Sequence, residues 1–307
     1  MSKLHYTVDF LNVGFGLSVV AYPTRERFPV LVVDGGYDQP EKYTDLALPL
    51  VEHLSRLGVK EVDLMVATHP HRDHIGGLAR VVEHVPVRRF LTGFPSPPPL
   101  AGDHWNQSNM AAALQLYATM VEELHRQNAH VIGVTGTTCI RCGRAELTIC
   151  PPASAAIASR EEKLLQCQKA PSLETLKGLS NTLNETSLMV RIRINQVSFL
   201  LPADRNLATL SGWERIVSPA EVLLIPHHGD ASYLSREAVE TIGAKTAVVS
   251  ADTRDTYGLP SPGLEKALKS WGVEQVLYTT GSPHKETTSG IRFLIGDDGA
   301  VEQQWIG

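Results

Sequence analysis

The sequence predicts an α/β chain in which two similar β-sheets pack together with helices outside. Three observations predict it. Apolar strand runs alternate with helix patterns in both halves of the chain. Strands in both halves end in loops that carry histidine or aspartate. No linker of the kind that separates domains lies between the halves, so residues 1–307 read as one domain.

The elements follow in order. "LHYTVDFLNVG" and "GLSVVAYP" read as strands around a Gly14–Phe15–Gly16 turn, and "PVLVVDGG" as a third. A helix fits "QPEKYTDLALPLVEHLSRLGV", with Leu46, Leu50, Val51 and Leu54 at helical spacing and Gly58 as its stop. "VDLMVATH" is a strand whose unbroken apolar run implies cover on both faces. "IGGLARVVEHV" is a helix begun at Gly76–Gly77, and "VRRFLTG" a strand. The proline-rich stretch from Phe94 to Gln107 reads as loop, followed by a helix over Met110 to Gln127 and short strands through "AELTICPP". Residues 151–185 are polar with weak helical patterns, so insertions that act as loops or lids are expected near 94–130 and 151–183. Strands return at "SLMVRIRI", "VSFLLPAD", "AEVLLIPHHG" and "AKTAVVSAD", and the helix "PGLEKALKSWG" precedes strands "EQVLYTT" and "GIRFLIG".

Bulk properties narrow the function. The chain is 43% hydrophobic and 20% charged, as in globular proteins, and has no apolar run long enough to span a bilayer. "MSKLHYTVDF" lacks a secretory pattern, and four cysteines do not make a disulfide framework; a cytoplasmic protein without a membrane partner is expected. A net charge of −5 argues against unspecific adhesion to nucleic acid. It leaves room for a phosphate-bearing substrate, because a metal centre brings its own positive charge.

The chemistry concentrates in "ATHPHRDHIGG", which puts three of the twelve histidines and an aspartate into six positions. Three close imidazoles repel when protonated, and a metal ion keeps them neutral. His69 and His71, two apart after a strand, can point the same way, while Asp73 and His74 face a second position. Imidazole and carboxylate suit zinc, iron or manganese. "FLLPADR" ends a buried strand in Asp204, either a carboxylate that bridges two cations or a cap or partner of Arg205. "LLIPHHGD" ends another strand in His227 and His228. Cys139 and Cys142 form C-x-x-C, which a short hairpin explains without metal. The Gly14–Gly16 pair is a turn or bulge and no nucleotide fingerprint, since no helix follows it. "DHWNQSN", Asp103–Asn109, has the tryptophan and amides of a pocket wall.

"THPHRDHIGG" resembles the signature of the metallo-β-lactamase fold, a four-layered αββα sandwich of two mixed sheets with a mono- or dinuclear metal site between them. The order of "VGFG" (Val13–Gly16), "DGG" (Asp34–Gly36), "NETS" (Asn184–Ser187), "PAD" (Pro202–Asp204), "HHG" (His227–Gly229) and "YGLP" (Tyr257–Pro260) is similar to that of the competence-type (ComEC-like) hydrolases. The resemblance implies that His69, His71 and Asp204 hold one divalent ion, and Asp73, His74, Asp204 and one of His227 and His228 a second. His228 is preferred as the ligand and His227 as the substrate contact or proton donor. Zn2+ leads, with Mn2+ or Fe2+ as alternatives. The usual third histidine has no counterpart, and Asn184 takes its place in order as a weaker metal or substrate contact, beside Ser187 and Tyr257. The late motif has Leu259 where the branch carries histidine, and His284 from a nearby loop is the substitute weighed against an exposed loop residue.

A pair of cations lowers the pKa of a water and polarises the bond it attacks, with Asp73 and His227 as catalytic groups. The resemblance implies a phosphodiesterase or nuclease that acts on nucleic acid or nucleotides. An ester, thioester, lactone or β-lactam hydrolase would use the same site, and a metal-stabilised binding protein would keep it without turnover.

Overall fold

The computed structural model describes residues 4–95, 108–170, 172–254 and 256–307. Two mixed sheets face each other. The first takes, from edge to edge, β15 (Val301–Ile306), β14 (Gly290–Gly296), β1 (Leu4–Leu11), β2 (Val19–Pro23), β3 (Leu31–Val33), β4 (Val62–Ala67), β5 (Val87–Thr92) and β6 (His130–Gly133). Its strands β3 to β6 are parallel and the others antiparallel. The second takes β13 (Gln275–Tyr278), β12 (Thr246–Val249), β11 (Val222–Leu224), β10 (Val197–Leu201), β9 (Met189–Ile194), β8 (Ala145–Cys150) and β7 (Thr138–Cys142). Here β10 to β13 are parallel, and β7 to β10 antiparallel.

Strand alternation builds the inner layer. Tyr6, Val8 and Phe10 of β1 point between the sheets, where Val190, Ile192 and Phe199 meet them. Phe10, Phe199 and Phe293 form an aromatic triangle with centroids 5.5–6.0 Å apart. The outer faces are covered by helices. α1 (Leu50–Arg56), α2 (Arg72–His84) and α3 (Asn109–Arg126) lie on the first sheet, joined by α4 (Ser154–Lys169) and α5 (Leu173–Glu185). α6 (Glu214–Val217), α7 (Arg236–Ile242) and α8 (Leu264–Ser270) lie on the second. This is the α/β sandwich of two mixed sheets with helices outside that the sequence predicts.

Several elements differ from the sequence reading. The long helix expected before Gly58 is only α1, because Pro49 has an extended ψ of 139° and the helix starts after it. The residues before it are pinned elsewhere: Leu48 N–H bonds to Asn12 O, and Leu46 N–H to Glu286. α2 starts at Arg72, four residues before the glycines. Residues 154–169 and 173–185 are two helices, not a loop, and Leu164, Cys167, Leu176, Leu179 and Leu183 join the core over the first sheet. Of the expected loop from Phe94 to Gln107, residues 96–107 lie outside the described residues, as does most of the Asp103–Asn109 wall. α6, α7 and β15 are further elements that the sequence reading does not contain.

Candidate metal centre

The site gathers where strands end. Asp34 follows β3, His69 follows β4, Asp204 follows β10, His228 follows β11 and Ser250 follows β12. Those strands run parallel within their sheets, and crevices at the carboxyl ends of parallel strands are where α/β folds place ligands. Tight backbone packing brings α2 into the same crevice. A Cβ at Gly77 would lie 1.9 Å from Gly35 O, and one at Gly16 2.5 Å from Asp73 O. Glycines there let α2 settle against both loops, so Asp73 and His74 of its first turn face Asp204.

Two ligand groups result, Asp73, His74, Asp204 and His228, and His69, His71 and Asp204, with ligand atoms in each group within 4.8 Å of one another. Asp204 is common to both. His228 Nε2 lies 3.1 Å from Asp73 Oδ2, and His74 Nε2 3.2 Å from Asp204 Oδ1. His69 Nε2 lies 3.5 Å from Asp204 Oδ2 and 3.0 Å from His71 Nδ1. His74 Nε2, His228 Nε2 and Asp204 Oδ1 are buried, yet none has a hydrogen bond of normal geometry. Buried polar atoms left so are costly unless something else binds them, and a cation between them suits all three.

The far nitrogen of every imidazole is held. His69 Nδ1 meets Thr68 Oγ1 at 3.2 Å, and His71 Nε2 meets Ser180 Oγ at 3.0 Å. His74 Nδ1 meets Asp34 Oδ2 at 2.8 Å, and His228 Nδ1 meets Ser250 O at 3.1 Å. Such contacts fix the tautomer that leaves the inner nitrogen free to bind metal. The sequence reading missed Asp34, Ser180 and Ser250 as site residues. Asp34 had a signal, an acid closing an apolar strand as Asp204 does. Ser180 and Ser250 had none, the latter acting through its backbone carbonyl.

Electrostatics agree with a cation site. Burial opposes ionisation of Asp73 and Asp204, but His74 and His228 outweigh it and hold both carboxyls below their ordinary range. Burial, with His69 beside it, drives His71 down to about 3. Burial also acts against the charged form of His74, yet Asp204, Asp73 and Asp34 keep its pKa well above the usual value. Strain collects here as well. Asp34, Ala203, His227 and His228 all have φ between 48° and 56°, unusual for residues other than glycine.

The centre opens into a cavity of about 680 Å³ lined by His71, Asp73, Asp204 and His228, with Asn184, His227 and Tyr257 along its wall. His227 points away from the ligand cluster. Its ring stacks on Tyr233 at 4.3 Å, its Nδ1 lies 3.3 Å from Asp230 Oδ2, and its Nε2 lies 3.4 Å from Asn184 Nδ2. Asn184 Oδ1 is buried without a partner. Ser187 departs from expectation: it is fully buried and outside the cavity lining, because the turn from α5 into β9 folds it inward. His284 is exposed and also outside the lining, whereas Leu259 is part of it. Arg205 turns from Asp204 to donate to Pro151 O at 2.8 Å, so the carboxylate is left to the histidines. Cys139 is exposed and Cys142 buried on β7, so the C-x-x-C thiols sit on opposite faces of a hairpin.

Residues 25–149 match the family model of the metallo-beta-lactamase superfamily. The chain carries a metallo-beta-lactamase superfamily domain. The matched stretch holds His69, His71, Asp73 and His74; Asp204 and His228 lie beyond it and join them in space. The superfamily consists mostly of metal-dependent hydrolases, and the domain here has the His/Asp ligand set for divalent metal. ComE operon protein 3 of Bacillus subtilis (strain 168) is 22% identical over 288 residues, 89% of this chain and 31% of that protein. The chain thus spans about a third of that relative's length, in line with the competence-type branch that the motif order resembles. Among solved structures, the metallo-beta-lactamase fold protein YhfI from Bacillus subtilis superposes with a TM-score of 0.50 at 10% identity, over 98% of this chain and all of that one. Zn(2+)-bound PqqB from Methylobacterium extorquens gives a TM-score of 0.49 at 10% identity, over 92% of this chain and 98% of that one. No helix among the described residues is long and apolar enough to cross a membrane.

Proposed function

We propose that the protein is a metal-dependent hydrolase that cleaves phosphodiester bonds of nucleic acid or nucleotides. The observation that carries the reading is the pair of ligand groups sharing Asp204, each imidazole held by its far nitrogen. Four imidazoles and two carboxylates suit Zn2+ first, then Mn2+ or Fe2+. Two divalent ions held there would supply Lewis-acid polarisation of the scissile bond and a lowered pKa for the attacking water. With the imidazoles neutral, such a centre is net positive despite the chain's charge of −5, which favours an anionic phosphodiester over a neutral ester or lactam.

The chain's own groups divide the remaining work. Asp73, which lines the cavity, accepts a hydrogen bond from the attacking water and orients it. His227, kept in place by Asp230 and Tyr233 and outside both ligand groups, donates a proton to the leaving oxygen. Asn184, on the same wall, holds a substrate oxygen through its amide.

Protein purified without chelators should contain about two divalent ions per chain and cleave bis(p-nitrophenyl) phosphate or single-stranded DNA. His228→Ala loses metal, whereas His227→Ala keeps it and loses about 10²–10⁴ in kcat. Hydrolysis of an ester or lactone with neither phosphodiester cleaved would end the phosphodiester reading.

A further inference from the structure

We infer that Tyr257, backed by Phe15, is a stacking platform for an unpaired nucleobase, so that the substrate is a single-stranded polynucleotide or a nucleotide derivative. The inference rests on the phosphodiester reading above and narrows it.

Tyr257 lines the same cavity as Asp204 and His228, yet its side chain is 76% exposed. It leans on Phe15, with ring centroids 5.3 Å apart at 53°. Phe15 in turn leans on the ring of His228 at 4.2 Å. A run of aromatic surface therefore leads from a ligand of the candidate metal centre out to solvent. Phe15 itself is only 8% exposed and serves as the backing.

The backbone makes the placement unusual. Tyr257 sits in the left-handed region at φ 62° and ψ 16°. A bulky side chain rarely adopts that conformation, and where it does, the surroundings fix it, most often at ligand clamps and active sites. Here the strained turn sets a large, exposed ring at the rim of the candidate site.

The remaining wall fits the same ligand. A cavity of about 680 Å³ holds more than a phosphodiester group alone. Lys42, Gln39 and Asn181 also line it, giving a cation for backbone phosphate and amides for base edges. A sugar or lipid tail has no flat π-face for the tyrosine, whereas every base does. Stacking also suits a chain with a net charge of −5, which has little overall attraction for a polyanion.

Two esters with the same leaving group test the inference: thymidine 5′-(p-nitrophenyl phosphate) and the corresponding ester of 1,2-dideoxyribose, which lacks the base. With zinc-loaded full chain, the ratio of their kcat/KM values falls about tenfold in Tyr257→Ala, through KM, and recovers in Tyr257→Phe. A wild-type ratio near one, or a ratio that Tyr257→Ala does not move, overturns the inference. A second arm needs no turnover. Metal-free protein should quench a single-stranded oligonucleotide carrying 2-aminopurine, with about tenfold weaker binding in Tyr257→Ala at an unchanged melting temperature. Equal binding by the two proteins overturns the inference. Cleavage of neither ester would instead end the phosphodiester reading, and the binding arm would then decide the stacking platform alone.

Discussion

Asp34 ends β3 at φ 55°, and its carboxylate accepts from Thr68 N–H at 2.9 Å, from Thr68 Oγ at 2.7 Å and from His74 Nδ1 at 2.8 Å. Asparagine has the same shape and tolerates left-handed backbone, so Asp34→Asn removes charge with little other disturbance. Zinc affinity should fall about 10- to 100-fold, read by competition with a chromophoric chelator. An unchanged affinity would deny Asp34 its role behind His74. Asp9 offers a residue-scale test away from the metal. It is fully buried on β1, where Arg292 binds it through two nitrogens at 2.7 and 2.8 Å and His53 lies at 2.9 Å. Burial opposes its charge, but hydrogen bonds from Arg292 and His53 outweigh burial and lower its pKa. A depressed folded-state pKa means stability that is complete above the unfolded value and lost as pH falls through the folded one. Asp9→Asn leaves the part-buried Arg292 guanidinium without its carboxylate and should cost about 3–5 kcal/mol near pH 7 in urea denaturation without metal. That difference should narrow below about pH 4; a gap that stays constant in acid would refute the account.

Helices separate the two uses of glycine. Gly77 lies inside α2, where alanine would normally be favoured, yet a Cβ there would meet Gly35 O at 1.9 Å. Gly77→Ala should therefore destabilise by about 1–3 kcal/mol and weaken zinc binding, since α2 carries Asp73 and His74. Gly178 lies inside α5, where the nearest atom to an added Cβ is Lys163 Cδ at 3.8 Å. Gly178→Ala should stabilise by roughly 0.5–1 kcal/mol. Thermal melts of the pair check both signs, and a gain at Gly77 would contradict the close approach. The same elements show what was readable. α2 and α3 carry clear apolar stripes, and the sequence places them within a few residues. α4 buries only Arg160, Leu164 and Cys167, so its pattern reads as loop. α5 opens with a capping box of Ser172 and Thr175, where the recognisable pattern has Glu or Gln at the second position.

Across the whole molecule, the metal and the fold should support each other, because the two ligand groups draw on loops of both sheets. Zinc at about 100 times its Kd adds about 2.7 kcal/mol of stability, roughly 4 °C in a chain of this size. Differential scanning calorimetry with zinc and with EDTA reads the shift, and Asp204→Asn should abolish most of it. A shift of full size in that variant would mean that the ions do not share Asp204. By itself the sequence determined the strand-and-helix alternation, the packed pair of sheets, and the ligand residues His69, His71, Asp73, His74, Asp204 and His228 as candidates. These follow from local periodicity and from acids and imidazoles at strand ends, which the chain displays in order. Only the tertiary structure decided that Asp204 faces both ligand groups, that His228 turns inward while His227 turns to the cavity wall, and that Asp34, Ser180 and Ser250 hold the imidazoles from behind. Those are contacts between residues up to 155 positions apart (His69 Nδ1 apart from them, held by its own neighbour), and no local pattern encodes which atom of a side chain meets which partner across the gap between two sheets.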